Sequence, residues 1–200
     1  MTDFFIKSDI SRNDAEKVVS ETLKNCDDGE LYLENSKTEN IVLDDSKIKN
    51  SSYNSDIGYG LRAVTGEVIA YSHSNEISKN SLKNSSENLK STLKSKKGTY
   101  NHSIPKSNTK YYEDKNPIEE KSFSSKIKIL EEIDKYTRSK NSNVKQVTAN
   151  FLGEHKSVEI IRAGGEILTD IRPLVRFNVS VVLEKNGKKE TGVYVGNIKN

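Results

Sequence analysis

Zinc hydrolysis, thiol chemistry and serine hydrolysis each need particular side chains at particular spacings, and this sequence offers few of them. Its histidines are His73, His102 and His155. None is followed by another at i+4 or i+5, so no single helix can present two imidazoles to one metal ion. Glu154 and His155, with Glu159 just beyond, fall where the pattern reads as a hairpin turn, and a lone exposed imidazole is the plain reading there. Serines are abundant, but no Gly-x-Ser-x-Gly elbow occurs. Cys26 has no local partner to lower its pKa and reads as an inert thiol at a helix end. The acid pairs Asp27-Asp28, Asp44-Asp45, Glu119-Glu120 and Glu131-Glu132 fall at helix ends, turns or exposed faces, where solvation accounts for them. The residues therefore predict no catalytic group and no metal ligand set, and metal-assisted hydrolysis would need an ion that this chain cannot hold alone.

The elements that would position a site are readable from patterning. Ser11 or Asn13 caps a first helix that ends near Cys26, with Ala15, Val18, Val19, Thr22 and Leu23 on its packed face. Strands follow over residues 30–36 and 41–44, and the stretch 44–71 supplies two or three more, each about five or six residues long. That stretch contains Gly58 and Gly60 within a strand pattern, which predicts a bulge or a close backbone approach. It is a poor phosphate loop: no third glycine follows at dinucleotide spacing, and strand rather than helix comes next. Arg62, among apolar neighbours, is expected to find a carboxylate or carbonyl partner, with Asp44, Asp45 and Asp56 the nearest acids in sequence.

Ser74 or Ser78 caps a second helix with Ile77, Leu82, Leu89 and Leu93 as its apolar stripe. Residues 95–118, with Gly98, Pro105 and Pro117, read as a polar connector. A further helix over about 119–139 places Phe123, Ile127, Leu130, Ile133 or Asp134, and Tyr136 or Thr137 on one side. Strands at 144–152, 157–162, 167–171 and 175–184 close the chain. A type I′ turn at Asn186-Gly187 then returns a strand over 188–195. The predicted class is α+β: mixed, mostly antiparallel sheet strands in two blocks flanking two central helices, plus the N-terminal helix.

Several segments together resemble the N-terminal domain of the TldD/PmbA family of zinc metallopeptidases, the TldD branch more than the TldE (PmbA) branch. They are Gly29-Glu30-Leu31-Tyr32, Val42-Leu43-Asp44-Asp45, Ile48-Lys49, Ser52-Tyr53-Asn54, Gly58-Tyr59-Gly60-Leu61-Arg62-Ala63, Gly66-Glu67 and Ala70-Tyr71. A second block follows in Val147-Thr148-Ala149 and Asp170-Ile171-Arg172-Pro173-Leu174-Val175-Arg176. Ser52, Tyr53, Gly58, Gly60, Arg62, Gly66, Arg172, Pro173 and Arg176 are the positions the resemblance marks as motif or structural residues. It implies a family whose zinc sits on a His-Glu-x-x-x-His helix, with a further cysteine ligand, in a C-terminal domain. It also implies a two-subunit peptidase that admits unfolded peptides, with a TldE/PmbA-like subunit or the C-terminal domain as partner. Zinc is thus expected in the full-length family protein and no cofactor on this chain. The expected domain runs over residues 1–192, with 193–200 a divergent tail where the resemblance fails before the metal-binding domain.

Composition sets the outer bounds. Two hundred residues at a net charge of +3 suit one soluble domain, and 32% hydrophobic residues make a thin core. One cysteine rules out an internal disulfide framework, and the start, MTDFFIKSDISRND, is neither a signal peptide nor a membrane span. The cytoplasm is the expected compartment, with no membrane partner. Residues 79–110 hold eight lysines and one acid but no arginine. Weak, salt-sensitive nucleic-acid binding is therefore a third reading, behind a peptide- or partner-binding module that captures an extended strand at a sheet edge.

Overall fold

The computed structural model describes residues 4–93, 97–99 and 111–198. Its elements are α1 (Arg12–Leu23), β1 (Asp28–Asp44), β2 (Lys47–Thr65), β3 (Val68–Ser74), α2 (Lys79–Leu93), α3 (Phe123–Lys140), β4 (Val144–Arg162), β5 (Ile167–Lys185) and β6 (Lys188–Ile198). A leading helix, three strands, two helices and three strands make the expected α+β arrangement. The strands hydrogen-bond in the order β3-β2-β1-β4-β5-β6. Most of the connector's middle, with His102 and Pro105, lies outside the described residues.

The strands are much longer than their sequence suggests. β1 has 17 residues, and β2, β4 and β5 have 19 each. The segments 30–36 and 41–44 are one strand, as are 144–152 with 157–162 and 167–171 with 175–184. Glu154 and His155 therefore lie inside β4 and not in a hairpin turn. The apolar alternation stops at the joins, but ladder hydrogen bonds satisfy the backbone whatever the side chain, so the strand continues through polar residues. Pro173 sits within β5 beyond the last β6 rung, which pairs Val175 with Ile198, so its missing N–H breaks no β5–β6 bond.

The turns follow their chemistry. Asn186 and Gly187 take φ of 53° and 74°, the two positive values of a type I′ turn. Gly66 alone is positive in the β2–β3 turn, at 59°, which is the glycine-first pattern of type II′. Asp45 and Ser46 turn β1 into β2 at φ of 47° and 61°, and the Ser46 hydroxyl donates to Asp134 at 2.5 Å.

The chain divides into two compact units. The first comprises Met1–Asn35, Asp56–Tyr111 and Lys156–Ile171. Its core joins Leu31 and Leu33 of β1, Leu61 and Ala63 of β2 and Ala70 of β3 to one face each of α1 and α2. α1 is capped by Ser11, which accepts from the Asp14 amide, and packs Ala15, Val19 and Leu23 while Lys17, Glu21 and Lys24 stay exposed. In α2 the Ser78 hydroxyl accepts from the Ser81 amide. Its apolar stripe is joined by two buried serines: Ser86 meets Thr22 at 2.6 Å and Ser85 meets the Tyr59 hydroxyl at 2.9 Å. Cys26 is buried, and burial pushes its thiol pKa up, the inert state its position implied.

The second unit comprises Ser36–Ser55, Tyr112–His155 and Arg172–Asn200. Its core gathers Ile41, Leu43, Ala149 and Phe151 against Leu130 of α3. The buried stripe of α3 differs from the expected one. Phe123 and Tyr136 are exposed, and the buried positions are Lys126, Leu130 and Asp134. Two of these carry charge, and each is satisfied locally. Lys126 ion-pairs with the buried Glu39 of β1 and donates to the Ile118 carbonyl. Asp134 accepts from Ser46 and from Arg138 Nε at 3.1 Å.

Removing one member of a buried pair leaves the other charge uncompensated, whereas replacing both by apolar groups avoids that cost. Lys126→Met should therefore destabilise the chain by about 3–5 kcal/mol in urea unfolding, and adding Glu39→Leu should recover most of the loss. A Lys126→Met chain with an unchanged urea midpoint would show that the pair carries no such penalty.

Candidate functional site

Four of the nine marked residues, Gly58, Gly60, Arg62 and Gly66, lie in the first unit. Strand residues alternate in direction, so Asp28, Glu30 and Arg62 point away from the core face that carries Leu31, Leu33, Leu61 and Ala63. Arg62 Nε donates to Glu30 Oε1 at 2.6 Å, and its Nη2 reaches Glu30 Oε2 at 2.7 Å and Asp28 Oδ2 at 2.6 Å. From β4, Arg162 Nη2 donates to the other Asp28 oxygen at 3.0 Å. The result is a planar fork on one carboxylate and a second carboxylate shared by two guanidinium groups. Arg62 does take carboxylate partners, but on the neighbouring strand and not Asp44, Asp45 or Asp56. Sequence distance misled because the hairpin brings residues some thirty positions apart side by side.

Burial works to raise the Asp28 pKa, but the Arg62 hydrogen bond and charge, the Gly29 amide and Arg162 outweigh it and hold the carboxyl below its usual value. Donating to the two carboxylates raises the Arg62 pKa against the opposing effect of burial, so its charge is fixed.

Gly58 and Gly60 make close backbone approaches. The β2–β3 register runs unbroken from Tyr59 opposite Ser74 to Thr65 opposite Val68, and neither glycine has positive φ. A Cβ on Gly60 would lie 2.5 Å from the Tyr71 hydroxyl, and one on Gly58 would lie 2.7 Å from the Ser74 carbonyl oxygen. Tyr71 thus leans across the β2 backbone at Gly60, and its ring stacks on His73 with centroids 5.8 Å apart. Together with Tyr32, Glu34 and Asp56 these residues border an open cleft of about 300 Å³. Gly66 contributes its turn, and its amide donates to Asp27 Oδ2 at 2.7 Å.

The remaining marked residues lie elsewhere. Ser52 is half-buried and Tyr53 exposed, on the part of β2 that extends beyond its β3 pairing. Arg172 is exposed and Pro173 half-buried where β5 extends beyond its β6 pairing, and Arg176 Nε donates to Asn178 at 3.1 Å. His73 is exposed on β3, while His155 Nε2 stands 3.4 Å from Asp114. Among the described residues, no three His, Cys, Asp or Glu side chains converge as a metal set. The resemblance assigns its zinc to a C-terminal domain, and no hydrolytic step is assigned to these residues.

Two outcomes follow from this geometry. Asp28 has a depressed folded-state pKa, so its stabilising contribution is present above the unfolded value, about 3.9, and is lost as pH falls through the folded value. Arg62→Met should lower stability by about 1–3 kcal/mol at pH 7, and the loss should shrink progressively as pH is lowered below about 3.9, read from urea midpoints at pH 7 and along a descending acid series. A loss that stays constant down to the lowest pH at which the chain remains folded would exclude the charged network as the cause. Gly58→Ala should depress the melting temperature more than Gly60→Ala, since a carbonyl cannot yield whereas an exposed tyrosine ring can swing aside. Tyr71→Ala should then relieve the Gly60→Ala chain.

Comparison with known proteins agrees with the motif residues. The model of PmbA/TldA metallopeptidase domain 1 matches residues 29–95, and that of the PmbA/TldA metallopeptidase central domain matches 116–197. The chain is similar to the metalloprotease TldD homolog of Haemophilus influenzae, at 34% identity over 175 residues. That alignment takes in 84% of this chain and 36% of the relative. The TldD homolog of Buchnera aphidicola from Schizaphis graminum is 32% identical over 169 residues, with 84% and 35% covered. The chain therefore spans about a third of the length of the curated relatives it matches. Among solved structures, TldE from Thermococcus kodakarensis superposes with a TM-score of 0.69 at 13% identity, covering 94% of this chain and 43% of that one. A Bacteroides thetaiotaomicron protein described as a candidate modulator of DNA gyrase gives 0.71 at 13% identity, covering 92% and 43%. At such identities the structures speak for the fold, while the two domain models and the TldD relatives speak for descent: the chain belongs to the PmbA/TldD metallopeptidase family and corresponds to its N-terminal portion.

Proposed function

We propose that this chain is the non-catalytic N-terminal portion of a TldD-like zinc metallopeptidase of the cytoplasm. In this reading it helps to build a two-subunit assembly with a TldE-like subunit, and that assembly cleaves unfolded peptides. The observation that carries the reading is the ordered match to the family's domain 1 and central-domain models and to the TldD relatives, over about a third of the relatives' length. The histidine spacing agrees with it, because no His-Glu-x-x-x-His sequence occurs. Zinc and its activated water would then belong to a C-terminal domain, and the first unit's Arg62 network would hold a sheet in shape for that domain or the second subunit.

A second reading rests on a separate observation. β2 pairs with β3 only from Tyr59 to Thr65, so among the described residues no strand lies on that side of residues 47–55. An open edge is a template for an extended peptide, and the chain would then act as a peptide-binding module by itself.

The purified chain, assayed on an unfolded peptide with added zinc, should show no chelator-sensitive hydrolysis. Adding the C-terminal portion of a TldD homolog together with a TldE-like subunit should give cleavage that depends on this chain. Stoichiometric tight zinc and peptidase activity in the chain alone would overturn the first reading. Saturable peptide binding without hydrolysis, protecting the amides of residues 47–55 from exchange, would favour the second.

A further inference from the structure

β3 stops short of the strand it pairs with. Its last rung sets Ser74 opposite Tyr59, and β2 extends beyond that rung through Gly58, Ile57 and Asp56. At this step the open cleft of about 300 Å³ lies on the outer sheet face, wholly within the first unit. The groups that meet there are acceptors. A Cβ on Gly58 would lie 2.7 Å from the Ser74 carbonyl oxygen and 3.3 Å from Asn75 Oδ1, so the bare strand lets both oxygens close over it. Asp56 stands two residues before Gly58 and therefore faces the same side.

The two carboxylates of the cleft differ in what they already hold. Glu34 accepts from the Tyr32 hydroxyl at 2.6 Å and lies 3.3 Å from Lys156 Nζ. Asp56 is exposed and has no such partner among the described residues. Tyr71 and His73, also exposed, stand on the β3 side with their rings stacked, and aromatic faces favour a cation. An ammonium group is the complement of this set, since it carries a positive charge, three donors and no acceptor. Strand direction says where one would come from. A peptide that pairs antiparallel with β2, in line with β3, runs the way β3 runs, so its first residue and not its last lies beside Asp56. Paired in parallel, it would instead bring its terminal carboxylate against Asp56 and the two acceptor oxygens.

We propose that this cleft holds the free N-terminal ammonium of an extended peptide, with the Asp56 carboxylate, the Ser74 carbonyl and Asn75 Oδ1 as its acceptors. The inference rests on the second reading above, the chain as a peptide-binding module, and adds to it the direction of the peptide and the chemistry of its end. Backbone pairing along a strand edge is indifferent to sequence and nearly so to direction. The charged end supplies the choice: an antiparallel peptide with a free amine is attracted, and a parallel one ending in a carboxylate is repelled.

A short unstructured peptide carrying a fluorophore at its C-terminus, titrated against the purified chain by anisotropy, tests this. Acetylating its N-terminus should weaken binding by about tenfold or more, the worth of a charge-assisted hydrogen bond. Asp56→Asn should weaken the free-amine peptide to a similar degree and leave the acetylated one unchanged, so that the two then bind alike. Its circular dichroism should match the parent's, because the side chain is exposed. Glu87→Gln, on the exposed side of α2, should alter neither peptide. An acetylated peptide that begins with lysine should bind no better than other acetylated peptides; if it equals the free-amine peptide, the cleft takes a side-chain ammonium and the proposal is overturned. Peptide binding that protects the amides of residues 47–55 but ignores both acetylation and Asp56→Asn would also overturn it, while leaving the second reading in place. No saturable binding by any of these peptides would remove the second reading and this inference together.

Discussion

One-sided burial of β1 is the constraint on which the rest of the structure depends. Its buried positions alternate through Leu31 and Leu33, pause, and resume at Glu39, Ile41 and Leu43. A chain with only 32% hydrophobic residues cannot line strands of this length with a continuous apolar face. The apolar residues are concentrated at two places, each with its own helices: α1 and α2 on Leu31 and Leu33, and α3 on Ile41 and Leu43. The interval is polar, and its one deeply buried side chain, Glu39, is tolerated because Lys126 reaches it. The two compact units are the consequence of rationing a small apolar complement along long strands.

Ionic contacts do the work that apolar contacts do elsewhere. In the first unit the outer sheet face is organised by two arginines on two acids, each within hydrogen-bond distance. In the second, Arg138 joins Asp134 of its own helix to Asp45 of the β1–β2 turn at 2.6 Å, and Asp44 accepts from Gln146 and Thr148. Those two hydrogen bonds hold the Asp44 carboxyl below its usual pKa. Fixed charge pairs of this kind specify register: a strand slipped by one residue would turn Arg62 toward the core and Leu61 toward water.

Local chemistry was legible in the sequence and long-range pairing was not. The first helix's cap, at Ser11 of the two candidates, the Asn186-Gly187 turn and the order of elements all follow from neighbours within four residues. Strand length did not, since the polar residues 35–40 hide the continuity of β1 behind a missing alternation. Lys126 was hidden for a related reason, whereas Asp134 stood on the expected packed side as the alternative to Ile133. A helix face is recognised by its apolar residues, and nothing near Lys126 in sequence announces Glu39, 87 residues away. Of the two alternatives the motif glycines offered, a bulge or a close approach, the close approach is the one seen, with crowding at Gly58 and Gly60 coming from the segment that includes β3 and the residue after it. Family membership was legible because the motif segments recur in order, whereas chemistry was legible only as a missing ligand spacing.

The strand order also governs the sequence of events by which the chain acquires its structure. The β1–β2, β2–β3 and β5–β6 pairs join across two-residue turns and can close in microseconds. The partner on the other side of β1 is β4, and their contacts span a large loop: Asn150 meets Asn40 across 110 residues. Closing such a loop is slow relative to hairpin formation. During synthesis at about 5–20 residues per second, the N-terminal three strands leave the ribosome seconds before β4 exists. For that interval β1 carries an open edge along its full 17 residues, the period when the nascent chain is most exposed to capture by another strand.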